Sequence, residues 1–318
     1  AIMKSDIRNL DLNLLKALDA LLDERSVTRA AARLALTQPA VSGMLTRLRD
    51  AFNDPLFIRA PHGMVPTLRA QALAAPVKQL LTDAETLLQP VVFDPLEADF
   101  TWTIAATDYA LKAVIVPFIA ALKPMAPGIR VRIIPESPAT LLAQTERGEV
   151  DIALLTPHDT PPELHSRALY QEEYVCLLRE DHPQANQPLT LDRFCALEHV
   201  LVSWQGDSFR GVTDDALAAL GRTRRVGLSV SSFLVLPEVL AVSEMIAVVP
   251  RRLAKMASGM KIAAPPLAIP GFTKSMAWHE RNHRDPAQQW LRELLLQTSQ
   301  QEREKSPARR PGKVTKTW

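Results

Sequence analysis

The sequence predicts an α/β protein with a mostly helical N-terminal domain and a larger C-terminal part made of two α/β lobes. Residues 26–67 hold two short helical patterns joined by a tight turn at 35–37, and a basic hairpin-like segment follows. This order is typical of a winged helix-turn-helix. From residue 100 onward, strand-like apolar runs alternate with helical patterns, which is typical of sheets covered by helices. At 318 residues the chain is long enough for two or three such domains.

The N-terminal helices follow from local patterns. Leucines at helical spacing predict a first helix from about residue 11 to 23. Ser26 is the predicted N-cap of a second helix, in which Ala30 and Ala31 permit a neighbouring helix to approach closely. A third helix is predicted to start near Thr37, with Pro39 in its first turn, where the missing N–H costs no hydrogen bond. The core face of this helix is expected to be Val41, Leu45, Leu48 and Phe52.

The opposite face of the third helix is small and polar, which suits contact with base edges and phosphates in the major groove of DNA. From Arg25 to Arg69 the chain carries seven arginines and two aspartates, so the segment has a charge of 7 − 2 = +5, against +2 for the whole chain. Positive charge is therefore concentrated where DNA should bind. An ordinary helical domain with a solvated arginine face is the alternative. The candidate DNA-contacting residues of this helix are Thr37, Gln38, Pro39, Ser42, Thr46 and Arg47.

The motif A-A-x-x-L-x-L-T-Q-P-A-V-S, followed by L-F-I-R and V-P-T, resembles the DNA-binding domain of LysR-type transcriptional regulators. The resemblance implies that Gln38, Pro39 and Ser42 face the DNA groove and that Arg59 binds a phosphate beside the wing. Gly43 departs from the family pattern, because many members carry a longer side chain there. A glycine inside a helix costs roughly 1 kcal/mol relative to alanine, and it leaves one side chain fewer to contact a base.

The resemblance extends through the rest of the chain and implies a ligand-responsive regulator. We therefore expect double-stranded DNA, a small-molecule effector, further copies of the same chain in a dimer or tetramer, and RNA polymerase as partners. The effector domain is expected to be two-lobed and similar to periplasmic binding proteins. An alternative of another class is a small-molecule binding protein whose N-terminal domain serves protein–protein contacts.

Residues 68–92 are predicted to form a linker helix that dimerises. Apolar residues alternate at spacings of four and three, as in a seam between paired helices. A helix that packs only on its own domain is the alternative. Pro76 predicts a kink or a late start, because an interior proline removes one helix hydrogen bond. The seam residues are Leu73, Val77, Leu80, Ala84 and Leu87.

The expected domains are residues 1–67 for DNA binding, 68–92 for the linker helix, 93–298 for the effector domain and 299–318 for a disordered tail. Parallel sheets are expected in both lobes, since strands and helices alternate. The resemblance implies that the chain crosses twice between lobes, which we place near residues 161–166 and 265–270. Lobe I is then about 93–163 with 269–298, and lobe II is 164–268. The predicted strands are 100–106, 129–135, 150–155, 173–178, 200–203, 226–230, 246–249 and 275–278.

An effector is expected in the crevice where strands end and helices begin. Free N–H groups and the partial positive charge at a helix N-terminus favour a carboxylate, and aromatic side chains could stack on a ring. Plain N-capping is the alternative role for the serines. The segments 148–155 and 278–292 are similar to a family branch that responds to aromatic acids and flavonoids, so the expected effector is an aromatic or other carboxylic acid. The candidate effector-binding residues are Thr107, Asp108, Ser203, Trp204, Ser231 and Phe233.

Other classes of function are disfavoured by the sequence. Because no apolar run is long enough to span a bilayer, we expect a cytoplasmic protein without membrane contact. The two cysteines, Cys176 and Cys195, fit a reducing compartment. No catalytic motif occurs, so we expect neither an enzyme nor a cofactor. We also expect no metal site, because His279 and His283, although four residues apart, lack a third candidate ligand close in sequence.

Overall fold

The computed structural model describes residues 10–61, 63–203 and 208–301. The chain divides into two compact units, residues 1–91 and 92–318. None of the helices in the described ranges combines the length and the apolar character that a bilayer span requires.

The N-terminal unit contains four helices and one hairpin within its described residues. The predicted N-cap, Ser26, is confirmed, because its side chain accepts a hydrogen bond from Arg29 N. Asp11 and Thr37, near which the first and third helices were expected to start, are N-caps as well. Between the second and third helices, Ala35 has a φ of 53°, which gives the tight turn. The elements are α1 (Leu12–Glu24), α2 (Val27–Arg33), α3 (Gln38–Phe52), β1 (Phe57–Ala60), β2 (Gly63–Pro66) and α4 (Leu68–Leu87).

The core of this unit is formed by the apolar stripes of α1 and α3 together with the small residues of α2. Ala30 is completely buried and Ala31 nearly so, as their small size predicted. The antiparallel pair β1–β2 forms the wing, in which Phe57 pairs with Pro66 and Ala60 with Gly63. The hairpin is thus held directly beside the end of α3.

In helix α4, only part of the predicted seam is free to pair with another helix. Leu73 and Val77 pack into the core of their own unit, where Val77 is only 5% exposed, whereas Leu80 and Leu87 are 47% and 86% exposed. The residues at this alternating spacing therefore lie on two surfaces of α4. One surface, with Leu73 and Val77, is covered by its own unit, and the other, with Leu80 and Leu87, is an exposed apolar flank. The expected late start at Pro76 is also wrong, because α4 begins at Leu68 with Thr67 as its cap.

The C-terminal unit contains two five-stranded sheets with helices between their strands, as the predicted two lobes require. The strands are β3 (Thr101–Ala105), β4 (Arg130–Ile134), β5 (Ile152–Leu155), β6 (His165–Glu172), β7 (Tyr174–Arg179), β8 (Glu198–Val202), β9 (Arg225–Val230), β10 (Ile246–Pro250), β11 (Met260–Ala263) and β12 (Phe272–Trp278). The sheet of lobe I has the order β4-β3-β5-β12-β6, and the sheet of lobe II has the order β11-β7-β10-β8-β9.

The helices of this unit are α5 (Asp108–Ala110), α6 (Val116–Met125), α7 (Leu141–Glu146), α8 (Leu191–Ala196), α9 (Val212–Ala219), α10 (Leu236–Ala241), α11 (Arg251–Lys255) and α12 (Pro286–Gln300). A π-helical turn, Leu111–Ile115, connects α5 to α6.

Both sheets are mixed, so the expectation of parallel sheets is wrong. In lobe I, β12 runs antiparallel to β5 and to β6. In lobe II, β7 runs antiparallel to β10 and to β11. The antiparallel strands are β12 in lobe I and β7 in lobe II, and each directly follows a crossing. A chain that enters a lobe through a crossing runs through its first strand there in the direction opposite to the neighbouring strands.

The first crossing between lobes also lies later than predicted. β6 belongs to lobe I and β7 to lobe II, and only Glu173 separates them, so the crossing is at 172–174 and not at 161–166. Lobe I therefore includes residues 164–172, which had been assigned to lobe II. The second crossing, between Ala263 and Phe272, agrees with the predicted position.

The predicted tail begins too early. α12 continues to Gln300, and Thr298 and Ser299 are buried. The remainder of the segment predicted to be disordered, residues 302–318, lies outside the described residues.

Candidate DNA-contacting surface and effector cleft

The predicted DNA-contacting residues of α3 all lie on its solvent side. Thr37, the N-cap, accepts a hydrogen bond from Ala40 N at 3.3 Å, so its hydroxyl is already used to start the helix. Thr46 donates to the carbonyl of Ser42 at 3.2 Å, and these two side chains sit one turn apart. Around Gly43 there is open space, since an added Cβ would meet nothing within 4 Å. Exposed together on this face are Thr37, Gln38, Pro39, Ser42, Gly43, Thr46 and Arg47.

The wing is fixed to α3 and α2 by backbone contacts. Arg49 donates to the carbonyls of Pro55 at 2.8 Å and Phe57 at 3.2 Å, which ties the end of α3 to β1. Met64 N donates to Arg25 O at 3.1 Å, which ties β2 to the start of α2. Arg49 therefore has a structural role that its sequence position did not reveal.

Acidic residues in α1 reduce the positive charge expected at this surface. Arg33 lies 2.8 Å from Asp23, Arg29 lies 3.5 Å from Glu24, and Arg47 lies 3.1 Å from Asp11. The count of +5 began at residue 25 and so excluded these partners. Among the described residues no ion pair involves Arg25, Arg59 or Arg69, and each of the three is exposed.

A cleft of about 410 Å³ in the C-terminal unit brings three of the predicted effector residues together: Thr107, Asp108 and Ser231. It lies at the C-terminal ends of β3 and β4 on one side and after β9 on the other. The sequence did not indicate the apolar part of the wall, which the parallel pairing of β3 with β4 brings to the cleft. The additional lining residues are Ala106, Leu111, Ile133, Ile134, Pro135 and Ser232.

Asp108 occupies the N–H group that was expected to bind a ligand carboxylate. Its Oδ2 atom accepts hydrogen bonds from Ser232 Oγ and from Phe233 N, both at 2.7 Å. Its Oδ1 atom is buried and has no hydrogen-bond partner within the described ranges. The Thr107 hydroxyl accepts a hydrogen bond from Ala110 N at 3.2 Å, so it caps the start of α5. The cleft thus already contains one negative charge.

Two of the other predicted effector residues, Phe233 and Ser203, do not line the cleft. Phe233 packs against Tyr109, with 6.1 Å between the ring centroids, and so contributes to the core beside the cleft. Ser203 N donates to Val230 O at 2.9 Å, which continues the β8–β9 pairing. Trp204 lies outside the described residues.

A buried polar cluster lies beside the crossings. Tyr109 Oη donates to Glu172 at 2.6 Å and lies 2.8 Å from Tyr170 Oη. Burial raises the pKa of the Tyr109 hydroxyl well above its usual range, so it remains a donor. Lys274 donates to Leu154 O at 2.8 Å, and burial lowers the pKa of its ammonium to about 8. No pattern in the sequence indicated this cluster.

Comparison with known proteins assigns both units to one family. Residues 12–71 match the model of the bacterial regulatory helix-turn-helix protein, lysR family, and residues 99–300 match that of the LysR substrate binding domain. The chain is similar to the HTH-type transcriptional activator NagR of Ralstonia sp, with 36% identity over 296 residues that cover 92% of this chain and 98% of the relative. It is equally similar to the activator NahR of Pseudomonas putida, with 36% identity over 92% of this chain and 98% of the relative.

A solved structure shows the same architecture. A probable transcriptional regulator from Pseudomonas aeruginosa matches with 31% identity and a TM-score of 0.57, covering 91% of this chain and 98% of that one.

Proposed function

The chain belongs to the LysR family of bacterial helix-turn-helix regulators, and on that premise we propose that it regulates transcription by binding operator DNA through α3 and the wing. A small organic acid bound in the cleft modulates that activity. The DNA-binding and ligand-responsive character follows from the family. The residues that carry each role, the class of effector and the assembly are our proposals.

The observation that best supports DNA binding is the exposed polar face of α3. Gln38, Ser42 and Thr46 follow each other at spacings of four on the side opposite the buried Val41, Leu45 and Leu48. A helix with its apolar side anchored in a core and a short-chain polar side outward can enter a major groove without a steric barrier. Arg59 is exposed on β1, which supports the proposal that it binds a phosphate beside the same groove.

A gel-shift assay with fragments of the source genome, at a stated salt concentration, tests this function. We expect a few fragments to bind far more tightly than random DNA, since specific sites typically bind 10³- to 10⁷-fold tighter than non-specific ones. Equal binding of all fragments, or no binding, would favour the alternative of a small-molecule binding protein whose N-terminal unit contacts other proteins.

The proposed effector is a carboxylic acid, aromatic or aliphatic, that binds against Thr107, Ser231 and Ser232. The hydroxyls of Thr107 and Ser231 supply donors, since the Ser232 hydroxyl already donates to Asp108. The apolar wall of Leu111, Ile133 and Ile134 suits the body of a small organic molecule. Because Asp108 already holds Phe233 N, the carboxylate of the effector is directed to the hydroxyl side of the cleft and away from Asp108. Binding favours whichever lobe arrangement contacts the ligand better and so changes how the protein engages its operator.

A thermal-shift screen of carboxylic acids tests the effector class. A ligand at 100 times its dissociation constant adds about 2.7 kcal/mol to the stability of the domain that it binds. Thr107→Val and Ser231→Ala should reduce this gain without changing DNA binding in the absence of ligand. If only neutral or cationic compounds stabilise the protein, the carboxylate proposal is wrong.

The exposed apolar flank of α4 is the proposed dimer contact. Leu80 and Leu87 present apolar surface that their own unit does not cover. A dimer through this helix supplies two recognition helices, which suits a pseudo-palindromic operator. Assembly into tetramers, contact with RNA polymerase and a cytoplasmic location complete the proposal, since a transcription regulator works where the DNA is.

A further inference from the structure

His165 meets Glu280 and His283, which lie more than 100 residues later in the sequence, at the outer edge of lobe I. His165 begins β6, whereas Glu280 and His283 lie in and just after the 3₁₀ turn that follows β12. β12 pairs with β6 so that Trp278 is opposite His165, and the chain then turns back over this position. One ligand atom from each of the three side chains lies within 4.8 Å of the other two.

The geometry of the cluster is compact and partly shielded. The rings of His165 and His283 are stacked with 4.1 Å between their centroids, and Glu280 contacts Nε2 of His165. Trp278 stacks beside both imidazoles, with centroid distances of 5.8 and 6.1 Å, and covers one side of the cluster. The opposite side is open to solvent, since the side chain of Glu280 is 59% exposed.

Neighbouring residues hold the turn that carries two of the three groups. Arg292 donates to the carbonyls of Asn282 at 3.1 Å and His283 at 2.8 Å. Arg281 donates to Glu146 O at 3.1 Å on the other side of the turn. The backbone of Glu280 and His283 is therefore fixed relative to the sheet before any ligand binds, which lowers the ordering cost of binding.

We propose that His165, Glu280 and His283 bind a divalent transition-metal ion, and that Zn²⁺ is the ion best suited to them. Two imidazole nitrogens and one carboxylate oxygen are a donor set that zinc uses in proteins, with a fourth position left for water. Around a tetrahedral zinc, ligand atoms lie roughly 3.3–3.5 Å apart, so side-chain rotations alone bring this cluster to coordination distance. The positive charge of the ion would also offset the carboxylate of Glu280.

The hydrogen bond between Trp278 and His283 must break before Nε2 of His283 can bind the metal ion. Trp278 Nε1 donates to Nδ1 of His283 at 3.2 Å. Coordination through Nε2 requires the proton of that imidazole to be on Nδ1, which faces the indole N–H. The site should therefore bind more weakly than a fully preorganised zinc site, and it should compete poorly with strong chelators.

The metal site is separate from the proposed effector cleft. Trp278 and His165 lie at one end of the β6–β12 pair, and Phe272 and Glu172, at the crossing, lie at the other. A bound ion would join the start of β6 to the turn after β12 and so stabilise lobe I, without contact with a ligand in the cleft.

The test is a zinc titration of the full chain, purified without a polyhistidine tag and stripped of metal, in competition with a weak chromophoric chelator. We expect one Zn²⁺ per chain in the tight class of sites. His165→Ala and His283→Ala should weaken this binding by at least about ten-fold, because loss of residues that merely support a ligand already costs about 10- to 100-fold. His158→Ala is the matched control, since His158 is exposed in the same lobe but outside the cluster, and it should bind as the parent does.

A second measurement separates loss of a ligand from loss of fold. Glu280→Gln changes an exposed side chain and should leave the circular dichroism spectrum unchanged. Zn²⁺ should raise the melting temperature of the parent and of His158→Ala, and should raise that of Glu280→Gln much less. Equal zinc affinity in the parent, His165→Ala and His158→Ala would mean adventitious binding to surface histidines and would overturn the proposal, as would the absence of any stoichiometric binding by the parent.

Discussion

The carboxylate of Asp108 accepts a hydrogen bond from the backbone N–H of Phe233, with 2.7 Å between Oδ2 and N. Asp108 follows β3 in lobe I and Phe233 follows β9 in lobe II, so this bond joins the lobes beside the cleft. The sequence predicted a ligand carboxylate at these donors, whereas the carboxylate that accepts from Phe233 N and Ser232 Oγ belongs to the protein itself. An acidic effector must therefore bind close to a fixed negative charge.

Replacing Asp108 by asparagine should strengthen binding of an acid in the cleft. Asparagine keeps an oxygen that can accept from Ser232 and Phe233, but it removes the charge. Like charges a few ångströms apart near a protein surface repel by a few kcal/mol at most, so a gain of roughly ten-fold in affinity is expected. Calorimetric titration with benzoate measures it, and Asp159→Asn, a change to an exposed acid in the same lobe, is the control. Weaker binding of benzoate by Asp108→Asn would show that Asp108 contacts the ligand favourably.

Gln38→Ala and Arg59→Ala should affect DNA binding in different ways. Gln38 starts the exposed face of α3, so its loss should relax preference at one operator position by roughly 1–3 kcal/mol. Arg59 is expected to bind a phosphate, so its loss should weaken binding to all DNA sequences alike. It should also reduce by roughly 1 the salt slope, which is the slope of the logarithm of affinity against the logarithm of salt concentration. Binding curves on operator and random DNA at several salt concentrations distinguish the two. An equal loss on both DNAs for Gln38→Ala would remove Gln38 from base contact.

Asp11→Asn should make DNA binding more dependent on salt. Asp11 caps α1 through Leu14 N at 3.0 Å and also pairs with Arg47 at 3.1 Å. Asparagine is as good an N-cap as aspartate, so the helix should be preserved while Arg47 is released to bind a phosphate. We expect the salt slope to increase by up to about 1 for non-specific DNA. In the Arg47→Ala background Asp11→Asn should have no such effect, and an effect that persists there would exclude the pair as its cause.

Leu80→Glu should break the dimer while leaving the N-terminal unit folded. Leu80 is half exposed on the open flank of α4, so a charge there costs little within one chain but would be desolvated at an interface. Light scattering should report a smaller mass, and operator affinity should fall. Gln79→Glu, a charge change on an adjacent exposed residue, should leave the mass unchanged. An unchanged mass for Leu80→Glu would place the interface elsewhere.

Stability should fall as the pH is lowered from about 6.5 to 4 because of His199. Its Nε2–H donates to Phe194 O at 2.7 Å and its Nδ1 accepts from Arg224 at 3.2 Å, so the neutral imidazole is fully paired. Burial lowers the pKa of His199 from 6.5 to about 4. In that interval the unfolded chain binds a proton that the folded chain does not, so up to about 3 kcal/mol of stability is lost as the pH falls.

Urea denaturation of the parent and of His199→Gln at several pH values measures this contribution. The variant should show a weaker pH dependence between 6.5 and 4, although it starts less stable. If the free energy of unfolding changes with pH in the same way for both proteins, groups other than His199 cause the acid sensitivity.

The N-terminal unit was largely predictable because its determinants are local. A cap such as Ser26 and a helical stripe such as Val41, Leu45 and Leu48 involve residues within one or two turns of each other. The a/d spacing of α4 was less informative, because periodicity does not show which partner covers a face. Val77 is covered by its own domain, whereas Leu80 is not.

The errors in the C-terminal unit have a common physical cause, which is pairing between distant segments. The first crossing was expected near residues 161–166, but the chain continues in lobe I as β6 because β12, more than 100 residues later, supplies its hydrogen bonds. The same pairing brings His165 to His283, which the spacing of His279 and His283 could not reveal. Likewise, Asp108 could be recognised as the partner of Phe233 only once β3 and β9 had been placed on opposite sides of the cleft.

The two crossings are adjacent in space. Glu172 at the end of β6 is opposite Phe272 at the start of β12, and a Cβ on Gly271 would lie 2.1 Å from Glu172 O. Two tethers side by side favour rotation of the lobes about an axis close to the crossings over other relative motions. In such a rotation the displacement of an atom grows with its distance from the axis. A shift of a fraction of an ångström near the axis therefore moves the far ends of the lobes much further. A small effector seated close to the crossings can thereby produce a large change in position at the remote surfaces of the same domain.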